Sequence, residues 1–423
     1  MANDFDSNFT RKLVEQVMTP FESNRVLSKN VNTQLLSGKF GPSSGENIDF
    51  QRPTDYTSTR SSDGDISATT ADPILTGKAT GTVQDYITVE LDYQEADEAL
   101  KMGGNQNRFF TDAARRIVTD LEVDFAGFMM KNSGLTAGTV GQAVNTWAEV
   151  ANGGATMAAA GVASGDWCYG VNPFTQTALA NDQRSLGSDD KLISEAHRNA
   201  IISKNFAGMK VMTATTLSSY TTGTGADRAG TLTSAPTPTY LAAKDTMTQT
   251  LAVTAFQANL VVAAGETITI AGCNRLNLNT RQPMLDAAGA LVPFVGVVTA
   301  AVTLGASGEG NLVITGPAIY EAGGAYNTVD AAPASGAVVT LGGAATSIYQ
   351  PNLFWHKDAF SIGSVPIKKL NSTDTVATTQ DGLQIRCSKG SSVRENKQIV
   401  RLDFRPAYAA INPFMAGQGY GTA

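Results

Sequence analysis

The chain has 423 residues, 31 Lys and Arg against 38 Asp and Glu, a formal net charge of −7, 7% aromatic and 16% charged residues. That length exceeds what one simple core fills and sets an expectation of two or more domains. The acidic balance excludes a sequence-independent grip on nucleic acid, which needs clustered Lys and Arg, and the abundance of small residues favours β-structure and extended segments over a helix bundle.

Residues 8 to 21 place Phe9, Leu13, Val14, Val17, Met18 and Phe21 at helical spacing, with Arg11, Lys12, Glu15 and Gln16 elsewhere on the wheel. This predicts a short amphipathic helix that packs either on its own chain or on a neighbour. The opening Met1-Ala2-Asn3-Asp4-Phe5-Asp6 carries acids where a secretory signal has bases, so the protein is expected to be made and kept in the cytoplasm. From Gly38 to Lys78 the chain is rich in Gly, Ser, Asp, Thr and Pro, and it carries the mixed charges Arg52, Asp55, Arg60, Asp63, Asp65, Asp72 and Lys78. Taken alone it reads as a flexible loop. Val83 to Leu91 alternates as a strand.

The longest predicted helix is Asn107 to Asn132, with Phe110, Ala113, Ala114, Ile117, Val118, Leu121, Phe125, Phe128 and Met129 on one stripe and Gly134 as a stop. At 1.5 Å per residue it is a rod of roughly 40 Å. A second helical region around Gln142 to Ala151 carries Trp147 and leads into Asn152-Gly153-Gly154, read as flexible. Trp167 to Leu217 then reads as strand, helix, helix, strand. Trp167-Cys168-Tyr169-Gly170-Val171 ends in Asn172-Pro173, a capping residue with proline at the first helical position, and the helix that follows carries Phe174, Ala178 and Leu179 on one face. A second helix around Leu192 to Ile202 leads into the strand Phe206 to Met212, opened by Gly208.

After Leu217 the composition shifts to Thr, Ala, Gly and Val. Short β-type runs recur at Thr250 to Ala255, Asn259 to Val262, Thr267 to Ala271, Val295 to Val302, Leu312 to Thr315 and Val338 to Leu341. This is the pattern of an all-β barrel or sandwich inserted into another domain, whose flanks Met209 to Thr213 and Leu353 to Ile362 rejoin one sheet. Ala287 to Gly308 has no charge, but Pro293 and four glycines favour buried strands over a membrane-spanning helix. Gly382 to Ser388 and Gln398 to Phe404 read as strands, and the Gly-rich tail Gly417 to Ala423 is expected to be exposed or to lie on a neighbour.

The order of these segments, with Val171-Asn172-Pro173 and Ala207-Gly208-Met209-Lys210-Val211 at their spacing, resembles tailed-bacteriophage major capsid proteins. The large insert after Leu217 and the strand Ile399 to Phe404 before Arg405-Pro406 make it similar to the coat protein of short-tailed enterobacterial phages. The resemblance implies an α+β capsid fold: an N-terminal arm (1–37), an extended hairpin loop (38–80), a peripheral domain with a long spine helix (81–150 and 376–423), an axial or central domain (151–217 and 348–375) and an inserted β-barrel (218–347). It implies self-assembly into pentamers and hexamers of an icosahedral shell in the virion, put together in the host cytoplasm with a scaffolding protein and a portal. The shell would enclose double-stranded DNA without sequence-specific binding and without a membrane. The expected contacts between subunits are Arg11 and Lys12 on the arm, Arg52, Asp55, Arg60, Asp63 and Asp65 on the hairpin, and Arg228, Lys244 and Asp245 in the insert; the competing reading is solvated charges of little energetic consequence.

No catalytic, cofactor or metal site is expected. His197 and His356 are the only histidines and neither has a ligand-spaced partner, and there is no phosphate loop. Gly41-Pro42-Ser43-Ser44-Gly45 matches a nucleophile elbow in letters but lacks the strand before and helix after it. Three scattered cysteines are expected to be free thiols. The alternative function is a β-rich surface or tail-associated adhesin binding a receptor or glycan, for which the long helix and the absent signal are a poor fit.

Overall fold

The structure, a computed structural model, describes residues 17–33, 45–67, 72–94, 106–186, 190–200, 202–203, 205–371, 374–392 and 396–422. The chain divides into two compact units, one of residues 1–49, 80–126 and 360–409 and one of residues 50–79, 127–359 and 410–423.

In the first unit, residues 17–24 are helical, the described end of the amphipathic segment, and Val17 and Phe21 are buried in their own chain. The long helix spans Gln106–Lys131, and its buried side chains Phe110, Ala113, Ala114, Ile117, Val118, Leu121 and Phe125 are the stripe that the periodicity picks out. Phe125 meets Phe360 and Tyr408, with ring centroids 6.5 and 5.1 Å away. Glu122, on the same helix, is buried and accepts from the N–H groups of Leu27 at 2.7 Å and Ser28 at 3.0 Å, so a carboxylate within the apolar stripe holds the turn that follows residues 17–24.

An antiparallel sheet runs in the order Thr375–Thr378, Gln384–Ser392, Lys397–Phe404, Ile87–Gln94. The expected strand Val83 to Leu91 is in fact broken: Lys78–Val83 pairs with Pro406–Ala410, and only Ile87–Gln94 joins Lys397–Phe404. The break lets one run of alternating residues serve two sheets. Asp403 lies at the centre of this sheet, its side chain fully buried, and accepts from Arg386, from Arg401 at 2.7 Å and from Thr88 at 2.7 Å. Burial pushes its carboxyl up, but the hydrogen bonds from Arg386, Arg401 and Thr88 outweigh burial and hold it below the usual range. A depressed acid stabilises the fold above the unfolded pKa of about 3.9 and loses that contribution as pH falls through the folded value. The first unit should therefore lose stability on acidification below about pH 4, and in D403N that part of the acid dependence should vanish when unfolding midpoints are measured against pH.

In the second unit a six-stranded sheet has the order Leu135–Ala137, Ala416–Gly419, Asn352–His356, Trp167–Val171, Met209–Thr213, Asn205–Phe206. Trp167–Val171 and Met209–Thr213 are parallel, joined through the helices Pro173–Leu186 and Asp190–Asn199. Asn172 caps the first of these, its Oδ1 accepting from Thr175 N–H at 2.7 Å, as the Asn-Pro pair predicts. The helix buries Leu179 as expected, with Ala180, but Phe174 departs from expectation and is 85% exposed. Asn352–His356 pairs with Trp167–Val171, so chain on both sides of the insert does meet in one sheet, although the expected strand Leu353 to Ile362 is cut by a 3-10 turn at Lys357–Ala359.

Two readings of glycine are overturned in this unit. Gly153 and Gly154 lie inside a helix, Trp147–Ala159, and pack closely there: a Cβ on Gly153 would stand 3.1 Å from Tyr169 and one on Gly154 3.4 Å from Trp167. Missing side chains allow close packing here. The tail, expected to be exposed or to lie on a neighbour, instead contributes the buried strand Ala416–Gly419 between Leu135–Ala137 and Asn352–His356 of its own chain. Glu149, in the first turn of the helix, accepts from the N–H groups of Asn145, Thr146 and Thr422 at 2.5, 2.9 and 3.0 Å and so ties the chain end to the helix start.

The insert forms a closed six-stranded barrel in the order Thr248–Thr254, Gly310–Thr315, Pro293–Val298, Thr267–Asn274, Val338–Leu341, Ala229–Leu232. Leu251, Val253, Ile268, Ile270, Phe294, Leu312, Ile314 and Val339 fill it. Closure leaves no open strand edge. The uncharged stretch supplies Pro293–Val298 to the barrel and Val302–Thr303 to a small separate ladder with Val261–Val262. Among the described residues no helix is long and apolar enough to cross a membrane. The three cysteines are buried and unbridged, and burial pushes the thiols of Cys168 and Cys273 up to about 11 and that of Cys387 to about 12.

Candidate inter-subunit contacts and the root of the hairpin loop

Four of the charged residues expected to face neighbours converge inside the second unit, where residues 50–79 meet the inserted region. Arg52 is buried, and its guanidinium donates to the carbonyls of Lys78, at 3.1 Å, and Ile411. The Arg52 N–H donates to Gly77 O at 2.8 Å, so the two limbs of the loop are clasped at their base. Asp55 pairs with Arg281 at 2.6 Å, while Arg281 also donates to Asn327 O at 2.6 Å. Lys244 pairs with its neighbour Asp245 at 3.2 Å and donates to Thr76 O at 3.3 Å, and Asp245 accepts from Lys78 N–H at 3.2 Å.

Aromatic rings complete this root. Tyr240 and Tyr326 stack with centroids 3.6 Å apart and planes 4° from parallel. The Tyr326 hydroxyl accepts from Asp55 N–H at 2.9 Å and donates to Leu75 O at 3.2 Å, touching both limbs. Gly77 has to be glycine, because a Cβ there would stand 2.5 Å from Lys244 O and 3.1 Å from the Tyr240 hydroxyl. Burial lowers the Arg52 pKa to about 10, with Tyr240 and Asp245 partly opposing the shift, and burial raises that of Tyr240. Arg281, Tyr240 and Tyr326 carry no sequence signal for this role, since their partners lie tens to hundreds of positions away.

Beyond the root the described residues of the loop are largely exposed. Arg60, Asp63 and Asp65 are all on the surface, as are Tyr56, Ile66 and Ile74 at 51%, 58% and 74%. Asp72 accepts from Thr57 N–H at 2.5 Å and from its hydroxyl at 2.6 Å, a second clasp across the limbs. Those hydrogen bonds hold the Asp72 carboxyl below its ordinary value. Arg228 sits elsewhere, buried in the barrel, where it forms an ion pair with the buried Glu266. Arg11 and Lys12, and the Gly41 to Ser44 part of the elbow-like pattern, lie outside the described residues. Among the described residues no cluster of three His, Cys, Asp or Glu side chains is placed to hold a metal.

Comparison with known proteins turns on residues 1–421, which match the family described as "P22 coat protein - gene protein 5". The chain belongs to that family. A major capsid protein of Acyrthosiphon pisum secondary endosymbiont phage 1 is 34% identical over 425 residues, spanning all of both chains. Among solved structures, a chain of Mycobacterium phage Che8 is 11% identical, covers 93% of this chain and 90% of its own, and superposes with a TM-score of 0.46. A chain from the capsid of cyanophage P-SCSP1u is 10% identical over 94% and 89%, with a TM-score of 0.47. The CUS-3 coat protein I-domain matches 28% of this chain and 97% of itself at 22% identity, with a TM-score of 0.20. Family membership rests on the sequence matches, which make this a tailed-phage major capsid protein with an inserted β-barrel. A match of that length speaks against the adhesin alternative and for a non-enzymatic structural protein.

Proposed function

We propose that this chain forms the icosahedral shell of a short-tailed enterobacterial phage, assembling in the host cytoplasm as pentamers and hexamers with a scaffolding protein and a portal around double-stranded DNA. The full-length coat-protein match carries the reading. The physical mechanism is repeated burial of modest surfaces between identical subunits. Each contact is weak enough to be corrected during growth, and closure of the shell makes the set collectively strong. The proposed domain boundaries are those implied by the resemblance, with the barrel as an insert into the central domain.

The loop beyond the clasped root is the segment we assign to a neighbouring copy. Long loops with uncovered apolar side chains gain from being covered, and Tyr56, Ile66 and Ile74 flank the exposed charges Arg60, Asp63 and Asp65. Arg52, Asp55, Lys244 and Asp245 then serve assembly indirectly, by fixing the direction in which the loop leaves the subunit. The proposed arm contacts through Arg11 and Lys12 complete the set. The triple variant R60A/D63A/D65A should unfold at the same denaturant midpoint as the parent, since these are surface charges, yet assemble several-fold more slowly by light scattering. Unchanged assembly in a normally folded triple variant would remove these charges from the interface.

A further inference from the structure

Beside the loop root lies a cavity of about 340 Å³, within the range that holds small ligands. Arg52, Asp55 and Arg281 line it, together with the apolar or aromatic side chains of Tyr240, Ile319 and Phe414. Two guanidiniums therefore face one carboxylate. Arg281 donates through its terminal nitrogens to Asn327 O and Asp55. Arg52 donates only to main-chain carbonyls and forms no ion pair among the described residues. A third buried cation stands behind the wall: Arg275 lies over the Phe414 ring at 5.1 Å, also without a carboxylate partner among the described residues.

Arg52 is buried, and a buried guanidinium without an ion-pair partner among the described residues is unfavourable unless an anion compensates it. We propose that the cavity binds a small monocarboxylate with an apolar body, the carboxylate taken by the Arg52 and Arg281 guanidiniums that line it and the body by Tyr240, Ile319 and Phe414. One negative charge balances the two lining cations and Asp55. The apolar wall favours an aromatic or branched acid over acetate. Occupancy would brace the loop root from inside the subunit.

The test is calorimetric titration of the full-length chain with benzoate and, as a neutral isostere, benzamide. Benzoate should bind one per chain, and benzamide at least about tenfold more weakly, the scale of a charge-assisted hydrogen bond. R281Q should weaken benzoate about tenfold for the same reason. D55N removes the carboxylate that competes for Arg281 and should tighten benzoate roughly threefold, a gain that misfolding cannot produce. No binding of benzoate at millimolar concentration, equal binding of benzamide, unchanged affinity in R281Q, or weaker binding in D55N would each overturn the site.

Discussion

Replacing Arg228 by methionine should destabilise the barrel by about 3–5 kcal/mol, the cost of stranding a buried partner charge. The Arg228 and Glu266 side chains are 6% and 0% exposed, and Arg228 Nη2 donates to Glu266 Oε2 while Glu266 Oε1 accepts from Ala263 N–H at 2.7 Å. Without Arg228, one of those oxygens loses its donor in a site closed to water. The Arg228 main chain joins the barrel as well, its carbonyl accepting from Leu341 N–H at 3.0 Å just before the strand Ala229–Leu232. Burial pushes the Glu266 carboxyl upward, with Ala263 and Arg228 opposing, and loss of Arg228 should push it further. An acid raised in the folded state binds its proton more tightly there than when unfolded. The R228M deficit is therefore largest at pH well above the raised value and shrinks as pH falls through it. E266Q in the R228M background should recover part of the loss at neutral pH. Hydrogen exchange of the barrel amides in the full chain reads all of these effects. A loss under about 1 kcal/mol would show that the pair is not holding the barrel. An assembly defect with unchanged barrel exchange would return Arg228 to the inter-subunit role its charge suggests.

The second large effect is expected from Gly417→Ala. A Cβ at Gly417 would overlap the Phe354 ring and stand 2.9 Å from Leu135 Cβ. The strand cannot step aside, because Gly417 is in register with Phe354 on one side and Leu135 on the other. Overpacking a closed site of this kind costs about 3 kcal/mol. Trp355 pairs with Ala416 in the same ladder, so tryptophan fluorescence should report the lowered denaturant midpoint. Gly390→Ala is the control: nothing lies within 4 Å of the Cβ it would add, and it should cost no more than about 0.5 kcal/mol. Equal midpoints for G417A and the parent would contradict the tight packing of the tail strand.

Much of the architecture was legible because its signals are local. The stripe from Phe110 to Phe125 repeats with helical period, Asn172-Pro173 starts a helix by capping chemistry, and alternating Val and Thr between Gly-containing turns mark most of the barrel strands. Local signals fail where a distant partner decides. Gly153-Gly154 and the Gly-rich tail look like linkers until Tyr169, Trp167 and Phe354 come to rest against them, because a missing side chain records close approach and flexibility in the same letter. Ala229–Leu232 gives no strand signal for a related reason: Ala-Gly-Thr-Leu has little apolar character, and Gly230 is required by the Phe256 ring that lies over it. Charges were located more readily than their roles. Arg52, Asp55, Lys244 and Asp245 are expected at contacts between subunits, and the partners they have within the chain, Ile411 O, Arg281, Thr76 O and Lys78 N–H, are set by tertiary contacts that no spacing encodes.

Self-assembly is tested most directly by negative-stain electron microscopy of the purified chain produced with a co-expressed scaffolding protein. Closed shells of uniform diameter, tens of nanometres across, are the expected result. Soluble monomers under every assembly condition, with the scaffold present and the chain folded, would contradict it.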